Sequence, residues 1–126
     1  MPSKERVQAL IALVEKGEYV EALEQFYAQD ASMQENNEPA RIGLASLVEH
    51  ERKVLAGLKE MRTNPVDWFV VDGDRVVINW VFEFIDPAGR KYRLDELAHQ
   101  LWRGDRVVRE RFYYDPVQTR RAEPTT

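Results

Sequence analysis

A chain of 126 residues with 44% apolar and 32% charged side chains has the size and balance of one globular domain, not of a disordered segment. Eighteen basic against 22 acidic residues leave a net charge of −4, which excludes the basic footprint that nucleic-acid binding needs. Cysteine is absent and only His50 and His99 are present, so disulfides, thiolate nucleophiles and histidine-rich metal sites are all excluded.

The N-terminus, Met1-Pro2-Ser3-Lys4-Glu5-Arg6, carries neither an apolar core nor a small-residue cleavage site. No run of about 18 apolar residues follows it that could span a membrane. The expected address is therefore the cytoplasm. Val7, Leu10, Ile11 and Val14 recur at i, i+3, i+4, i+7, the stripe of an amphipathic helix with Ser3 as N-cap and Gly17 just past its end. A second helix is predicted from about Tyr19 to Ala28, with Leu23, Phe26 and Tyr27 inward. Ala31 to Glu35 suits a short strand, and Asn36-Asn37-Glu38-Pro39 is turn material. After Gly43 a third helix is predicted from Leu44, Leu47, Val48, Leu55 and Leu58, ending at Thr63-Asn64-Pro65.

Beyond Pro65 the period changes. Val66–Val71, Arg75–Ile85, Tyr92–Trp102 and Val107–Tyr114 are rich in branched and aromatic residues, and three turn signals join them. The tail from Gln118 to Thr126 is polar and expected to be loose. Helices followed by strands read as α+β: three N-terminal helices packed on a curved antiparallel sheet, one domain over 1–126 with its core in 5–116 and a loose 117–126. A sheet wrapped around helices leaves a cone-shaped hollow, the usual place for a small ligand.

The turn Asp86-Pro87-Ala88-Gly89-Arg90 sets the register by pairing Asp86 with Arg90. Phe84 then faces Tyr92, Phe82 faces Leu94, Trp80 faces Glu96 and Ile78 faces Ala98. Strand alternation puts Gln100 and Trp102 on the same inward face. On the last strand Glu110, Phe112 and Tyr114 share a face, read as inward. Glu96, Gln100 and Glu110 are thus polar groups inside an apolar hollow. A carboxyl there has a raised pKa, which suits proton transfer near neutral pH; at the mouth, in water, it would be ordinary.

These residues and this order resemble the nuclear transport factor 2-like superfamily, within it the SnoaL-like (polyketide cyclase type) and ketosteroid isomerase-like branches. The resemblance covers about residues 5–116. It rests on Phe26-Tyr27-Ala28-x-Asp30-Ala31-Ser32-Met33-Gln34-Glu35-Asn36, on Gln100-Leu101-Trp102-x-Gly104 and on Phe112-Tyr113-Tyr114-Asp115. It implies a cone-shaped α+β barrel. The proton-shuttling carboxylate of the ketosteroid isomerases corresponds to Glu35. Their two oxyanion donors correspond to about Leu10 and Ala98, which have no side-chain donor; each loss costs about 10² to 10³ in rate. For a polyketide cyclase-like carboxylate the candidates are Glu35, Glu96, Glu110 and Asp115.

Two readings of function follow. In one, a cofactor-independent isomerase, cyclase or hydratase works by acid–base chemistry on a small apolar, oxygen-bearing substrate. Glu35 is the general acid or base, against the plainer reading of a turn residue. Tyr27, Trp80, Glu96, Gln100, Trp102, Glu110, Phe112 and Tyr114 line the substrate site, the indoles serving otherwise as core filling. In the other, the same hollow only binds a ligand. No metal, nucleotide or flavin motif is present, so no cofactor is expected. His50 reads as solvated, and His99, Arg109 and Arg111 as outward. The outer strip of Val81, Ile85, Leu97 and Leu101 predicts a homodimer paired through the sheet.

Overall fold

A computed structural model describes residues 1–124 of the chain. Helix α1 (Lys4–Glu15) starts where Ser3 Oγ accepts the Arg6 amide at 3.0 Å, the cap its sequence predicts. Its stripe of Val7, Leu10, Ile11 and Val14 is buried. Helix α2 (Tyr19–Phe26) buries Tyr19, Ala22, Leu23 and Phe26 and runs without a loop into strand β1 (Tyr27–Glu35). The helix therefore stops two residues before the predicted Ala28, and the strand starts four before Ala31. Two guanidiniums hold this junction. Arg6 donates to the Gln25 carbonyl at 2.9 Å and Arg106 to the Tyr27 carbonyl at 3.1 Å, satisfying acceptors that the helix end leaves free.

A short strand β2 (Arg41–Ile42) pairs back on β1. Gly43, at φ +97, then turns the chain into helix α3 (Leu44–Ala56), a left-handed conformation that a Cβ disfavours. Helix α3 ends at Ala56, not at Thr63. The residues beyond Gly57 instead form strand β3 (Glu60–Thr63), which pairs with the end of the long hairpin strand: Glu60 lies opposite Ile85 and Thr63 opposite Phe82. Leu58 keeps helical spacing by sequence but already lies past the helix.

The predicted strand at Val66–Val71 is shorter and later, β4 (Phe69–Asp72). Pro65 has no amide to offer a ladder, and the Val66 amide is taken by Glu15 Oε2 at 2.7 Å. Strands β5 (Arg75–Ile85), β6 (Lys91–Arg103) and β7 (Arg106–Tyr113) complete the sheet. Its order is β2-β1-β7-β6-β5-β3, with β4 beside the first half of β5. The four predicted hairpin strands pair antiparallel, but the sheet as a whole is mixed, because β1 joins β7 in parallel.

The β5–β6 register is the one read from the turn: Phe84 opposite Tyr92, Phe82 opposite Leu94, Trp80 opposite Glu96, Ile78 opposite Ala98. Asp86 fixes that turn, its Oδ1 accepting the Ala88 and Arg90 amides at 3.0 and 2.9 Å and its Oδ2 the Arg90 Nε at 2.8 Å. The segment predicted as a loose tail is ordered over its first part. Val117–Arg120 forms a single turn, α4, and Gln118 exchanges hydrogen bonds with the Asp95 backbone at 2.9 and 3.1 Å. Residues 125 and 126 lie outside the described residues.

One buried cluster joins the helices to the inner sheet face, an α+β arrangement of helices on an open curved sheet. Leu47 of α3 is 2% exposed within it. Leu47→Ala is expected to lower the unfolding free energy by about 2–5 kcal/mol, read by urea denaturation; a loss under about 1 kcal/mol would mean that α3 is not packed as described.

Candidate functional site

Between the helices and the sheet lies a cavity of about 570 Å³. Leu10, Val14 and Leu23 form its helical wall, and Trp80, Phe82, Leu94 and Phe112 its sheet wall. Trp80 and Phe82 stack at 5.8 Å between centroids with 25° between planes. The pair follows from strand alternation, since residues two apart on β5 share a face.

Glu96 and Glu110 both reach this apolar space, one from β6 and one from β7, and their surroundings differ. Glu110 accepts on both oxygens: the Tyr27 hydroxyl donates to Oε1, and Gln100 Nε2 donates to Oε2 at 2.7 Å. Trp102 Nε1 in turn donates to Gln100 Oε1 at 2.9 Å. Burial pushes the Glu110 carboxyl up to about 7, against the pull of its two donors. Glu96 is 6% exposed; its carbonyl accepts from Asn79 Nδ2 at 3.0 Å, but its carboxyl has no hydrogen-bond partner among the described residues. Burial raises its pKa well above the ordinary range, and the charge of Glu110 adds to the rise. The Tyr27 hydroxyl is likewise raised by burial and by Glu110. A neutral acid able to donate therefore sits near a second carboxyl that ionises first.

Of the predicted site residues, Tyr27, Glu35, Trp80, Glu96, Glu110 and Phe112 line the cavity. Glu35 does so from the exposed end of β1, at the rim. Gln100 and Trp102 are inward, as the register requires, but do not line the cavity; both are buried and act through Glu110. Tyr114 is half-buried and also off the lining, its hydroxyl pushed up to about 12 by burial with Glu35 beside it. Its backbone amide is held by Asn36 Oδ1 at 3.0 Å, which ties the ends of β1 and β7 together.

His50 is a correction. It is half-buried and lines the cavity, with its pKa lowered by burial and by Arg41, instead of standing in solvent. Glu51, next to it on α3, lines the cavity as well, and burial raises its pKa. The sequence carried a signal for both. His50 and Glu51 lie three and four residues after Leu47, on the stripe that continues to Val54. His99, Arg109 and Arg111 belong to the outer face; His99 Nε2 meets Arg75 Nη1 at 3.1 Å, and Arg111 Nε bonds the Asn36 carbonyl at 2.9 Å. Among the described residues no three His, Asp or Glu side chains converge in a way that could hold a metal ion. No described helix is long and apolar enough to cross a membrane.

The family profile of the SnoaL-like domain matches residues 7–110. The chain belongs to the SnoaL-like domain family. Solved structures agree on the fold. TerC, co-crystallised with polyporic acid, is 21% identical with a TM-score of 0.78, over 92% of this chain and 93% of that one. A protein of Jannaschia described as a SnoaL-like polyketide cyclase is 14% identical with a TM-score of 0.79, over 93% and 90%. A Catenulispora acidiphila protein with a ketosteroid isomerase-like fold, in complex with trimethylamine, is 18% identical with a TM-score of 0.76, over 92% and 89%. No curated protein matches the chain. The SnoaL-like and nuclear transport factor 2-like reading of the sequence thus holds for family and fold.

The buried acids give this SnoaL-like chain a pH signature. A carboxyl whose pKa is raised from 4.5 to about 7 by folding holds its proton more tightly in the folded than in the unfolded chain. Its contribution is fully present below pH 4.5 and is lost as pH rises through about 7. Unfolding free energy measured by urea at fixed salt is expected to fall over that window. Glu110→Gln, whose amide can keep both neighbours bonded if Tyr27 reverses its hydroxyl, should flatten part of the fall, with Glu96 supplying the remainder. Superimposable wild-type and Glu110→Gln profiles would contradict this assignment.

Proposed function

We propose that this SnoaL-like chain is a cofactor-independent enzyme that moves a proton within a small apolar, oxygen-bearing substrate, in the manner of an isomerase or cyclase. The observation that carries the reading is Glu96: a buried carboxyl without an internal partner, facing an apolar cavity. Such a group costs stability unless something in the cavity uses it.

The step is a proton relay through an enol. Glu96, as the neutral acid, gives its proton to a substrate carbonyl oxygen while the Glu35 carboxylate at the rim removes a proton from the neighbouring carbon. Returning the proton to a different carbon, and the oxygen's proton to Glu96, gives an isomer; attack of the enol carbon on a second carbonyl gives a ring, the enol O–H returning its proton to Glu96 as the first C=O re-forms and Glu35 giving the proton it took to the new alkoxide, which becomes a hydroxyl. Trp80 and Phe82 pack against the substrate body, and Tyr27 with Gln100 holds Glu110 as the anion that keeps Glu96 protonated. Leu10 and Ala98 lack the donors of a ketosteroid isomerase oxyanion hole, so Glu96 takes that task here. A cytoplasmic address goes with this reading.

The experiment is hydrogen–deuterium exchange and product formation in D2O on a panel of unconjugated enones and aromatic ketones, followed by proton NMR, with ligand binding measured separately by calorimetry. Glu96→Gln is expected to lower turnover by about 10² to 10⁴ and binding by far less; Glu35→Gln should behave alike. Full turnover in both variants, or tight binding with no exchange anywhere in the panel, would overturn the enzyme in favour of a ligand-binding protein.

We also propose that the chain pairs with itself through the outer sheet face. Leu97 and Tyr113 lie opposite one another across β6 and β7 near its centre and are 38% and 43% exposed. Val81 and Leu101 on the same face are only half-covered. Sedimentation equilibrium at micromolar concentration should give a dimer that Leu97→Asp converts to the monomer; a wild-type mass of 14.8 kDa would refute it.

A further inference from the structure

Five carboxyl side chains line the cavity, Glu35, Glu38, Glu51, Glu96 and Glu110, against one guanidinium, that of Arg41. Burial and Arg41 lower the His50 pKa, so His50 adds no charge near neutral pH. Five of the acids outside the cavity pair with cations: Asp30 with Arg103, Glu83 with Arg62, Asp86 with Arg90, Glu49 with Lys53 and Asp74 with the N-terminus. None of the five cavity carboxyls forms an ion pair among the described residues, and Arg41 forms none either.

An acidic rim alone would be a solvated surface. Here the acidity continues inward to Glu96, which is 6% exposed and still without a partner. The walls around these groups are apolar and aromatic, so water poorly screens whichever of them are ionised, and the cavity focuses a negative potential that grows as the pH rises. Glu51 is half-buried and lines this space. It stands on α3 opposite the sheet wall, and its charge acts on Tyr19, Tyr27, Glu96 and Glu110, from α2, β1, β6 and β7.

We infer that the ligand of this cavity carries the missing positive charge: an apolar amine or quaternary ammonium compound whose cation rests beside Glu51 at the mouth while its apolar body lies along Trp80 and Phe82. This rests on the small-molecule reading above and narrows its substrate class. An organic cation fits better than a hydrated metal ion, because Met33, Val54, Leu58 and Met61 line the cavity with methyl and thioether surface, and among the described residues no three acid or histidine side chains converge to hold a metal. An oxygen on the same ligand would reach Glu96 further in.

The test uses two ligands of one shape, (3-hydroxyphenyl)trimethylammonium and neutral 3-tert-butylphenol, titrated into the full chain by calorimetry. At pH 7, where the phenol of both probes is protonated, the cation is expected to bind at least about tenfold tighter, and Glu51→Gln should bring the two within about threefold. Glu49→Gln, which removes the Lys53-paired acid of the same helix, should leave the preference intact. The cation's affinity should rise from pH 5 to pH 7. Burial raises the pKa of Glu51, Glu96 and Glu110, so they gain negative charge as the pH rises, and His50, its pKa lowered, loses positive charge. Glu35, Glu38 and Arg41 also line the cavity, and Tyr19, Tyr27 and Tyr114, all raised, stay neutral. Equal or tighter binding of the phenol would overturn the charge assignment and leave the proposed enzyme standing. Failure of both ligands at millimolar concentration would count against the small-molecule reading itself. Loss of the preference in Glu49→Gln would reduce it to a diffuse surface effect and sink the Glu51 site.

Discussion

The direction of one buried hydrogen-bond chain fixes the rest of the site. The Trp102 indole can only donate, so Gln100 must present its carbonyl to Trp102 and its amino group to Glu110. Tyr27 donates to the other Glu110 oxygen. Both Glu110 oxygens are thereby committed as acceptors, and the carboxyl that this chain favours is the ionised one. The chain also spans the molecule. It runs from β6 through β7 to the junction of α2 and β1, which Arg6 and Arg106 hold in place. A buried polar network is tolerable only when each member is satisfied, and this one is.

Glu96 takes its character from that arrangement by contrast. It lies on the same inner sheet face, is about as buried, and has no donor of its own. Two carboxyls in one low-dielectric space cannot both ionise freely, and the one with donors ionises first. The fold thus gives two chemically identical side chains different proton affinities: burial raises both, and the two donors on Glu110 pull against that rise while Glu96 has none. The same physics explains why neither Gln100 nor Trp102 needs to line the cavity: they set the state of Glu110 from behind it.

The hairpin was legible because its turn is chemically explicit. Asp86-Pro87-Ala88-Gly89-Arg90 admits few loop geometries, and the register it sets carried the inward placement of Trp80, Glu96, Gln100 and Trp102 by alternation alone. The inward parity of Glu110 and Phe112 held too, but through an irregularity: Val107 and Glu110, three residues apart, are both buried because the β6–β7 register slips by one residue between them. What escaped were elements whose stability is not local. Of β1, Ala31–Glu35 was legible as a strand, but its first four residues, Tyr27–Asp30, have little strand propensity and join it through parallel pairing with β7 across an irregular register. Strands β2 and β3, of two and four residues, exist only because β1 and β5 offer free edges. Helix α3 hid its contribution differently. Its apolar stripe was visible, but the two polar residues on that stripe, His50 and Glu51, resemble surface charge until the helix is docked over the cavity.

The two proposals meet in what the empty cavity costs. Glu51, Glu96 and Glu110 each have pKa values raised by burial, so each holds a proton more tightly folded than unfolded and opposes folding as the pH rises. A chain selected only for stability would replace such groups with leucine or pair them, as it pairs Asp86 with Arg90 at the surface. Unpaired acids kept on aromatic and aliphatic walls mark a site whose balance is completed by what enters it. A cation at the mouth would relieve the repulsion at Glu51, and an oxygen further in would give Glu96 the partner it lacks. One guest with both groups, a few ångströms apart on an apolar frame, would satisfy the two unpartnered ends of the cavity at once.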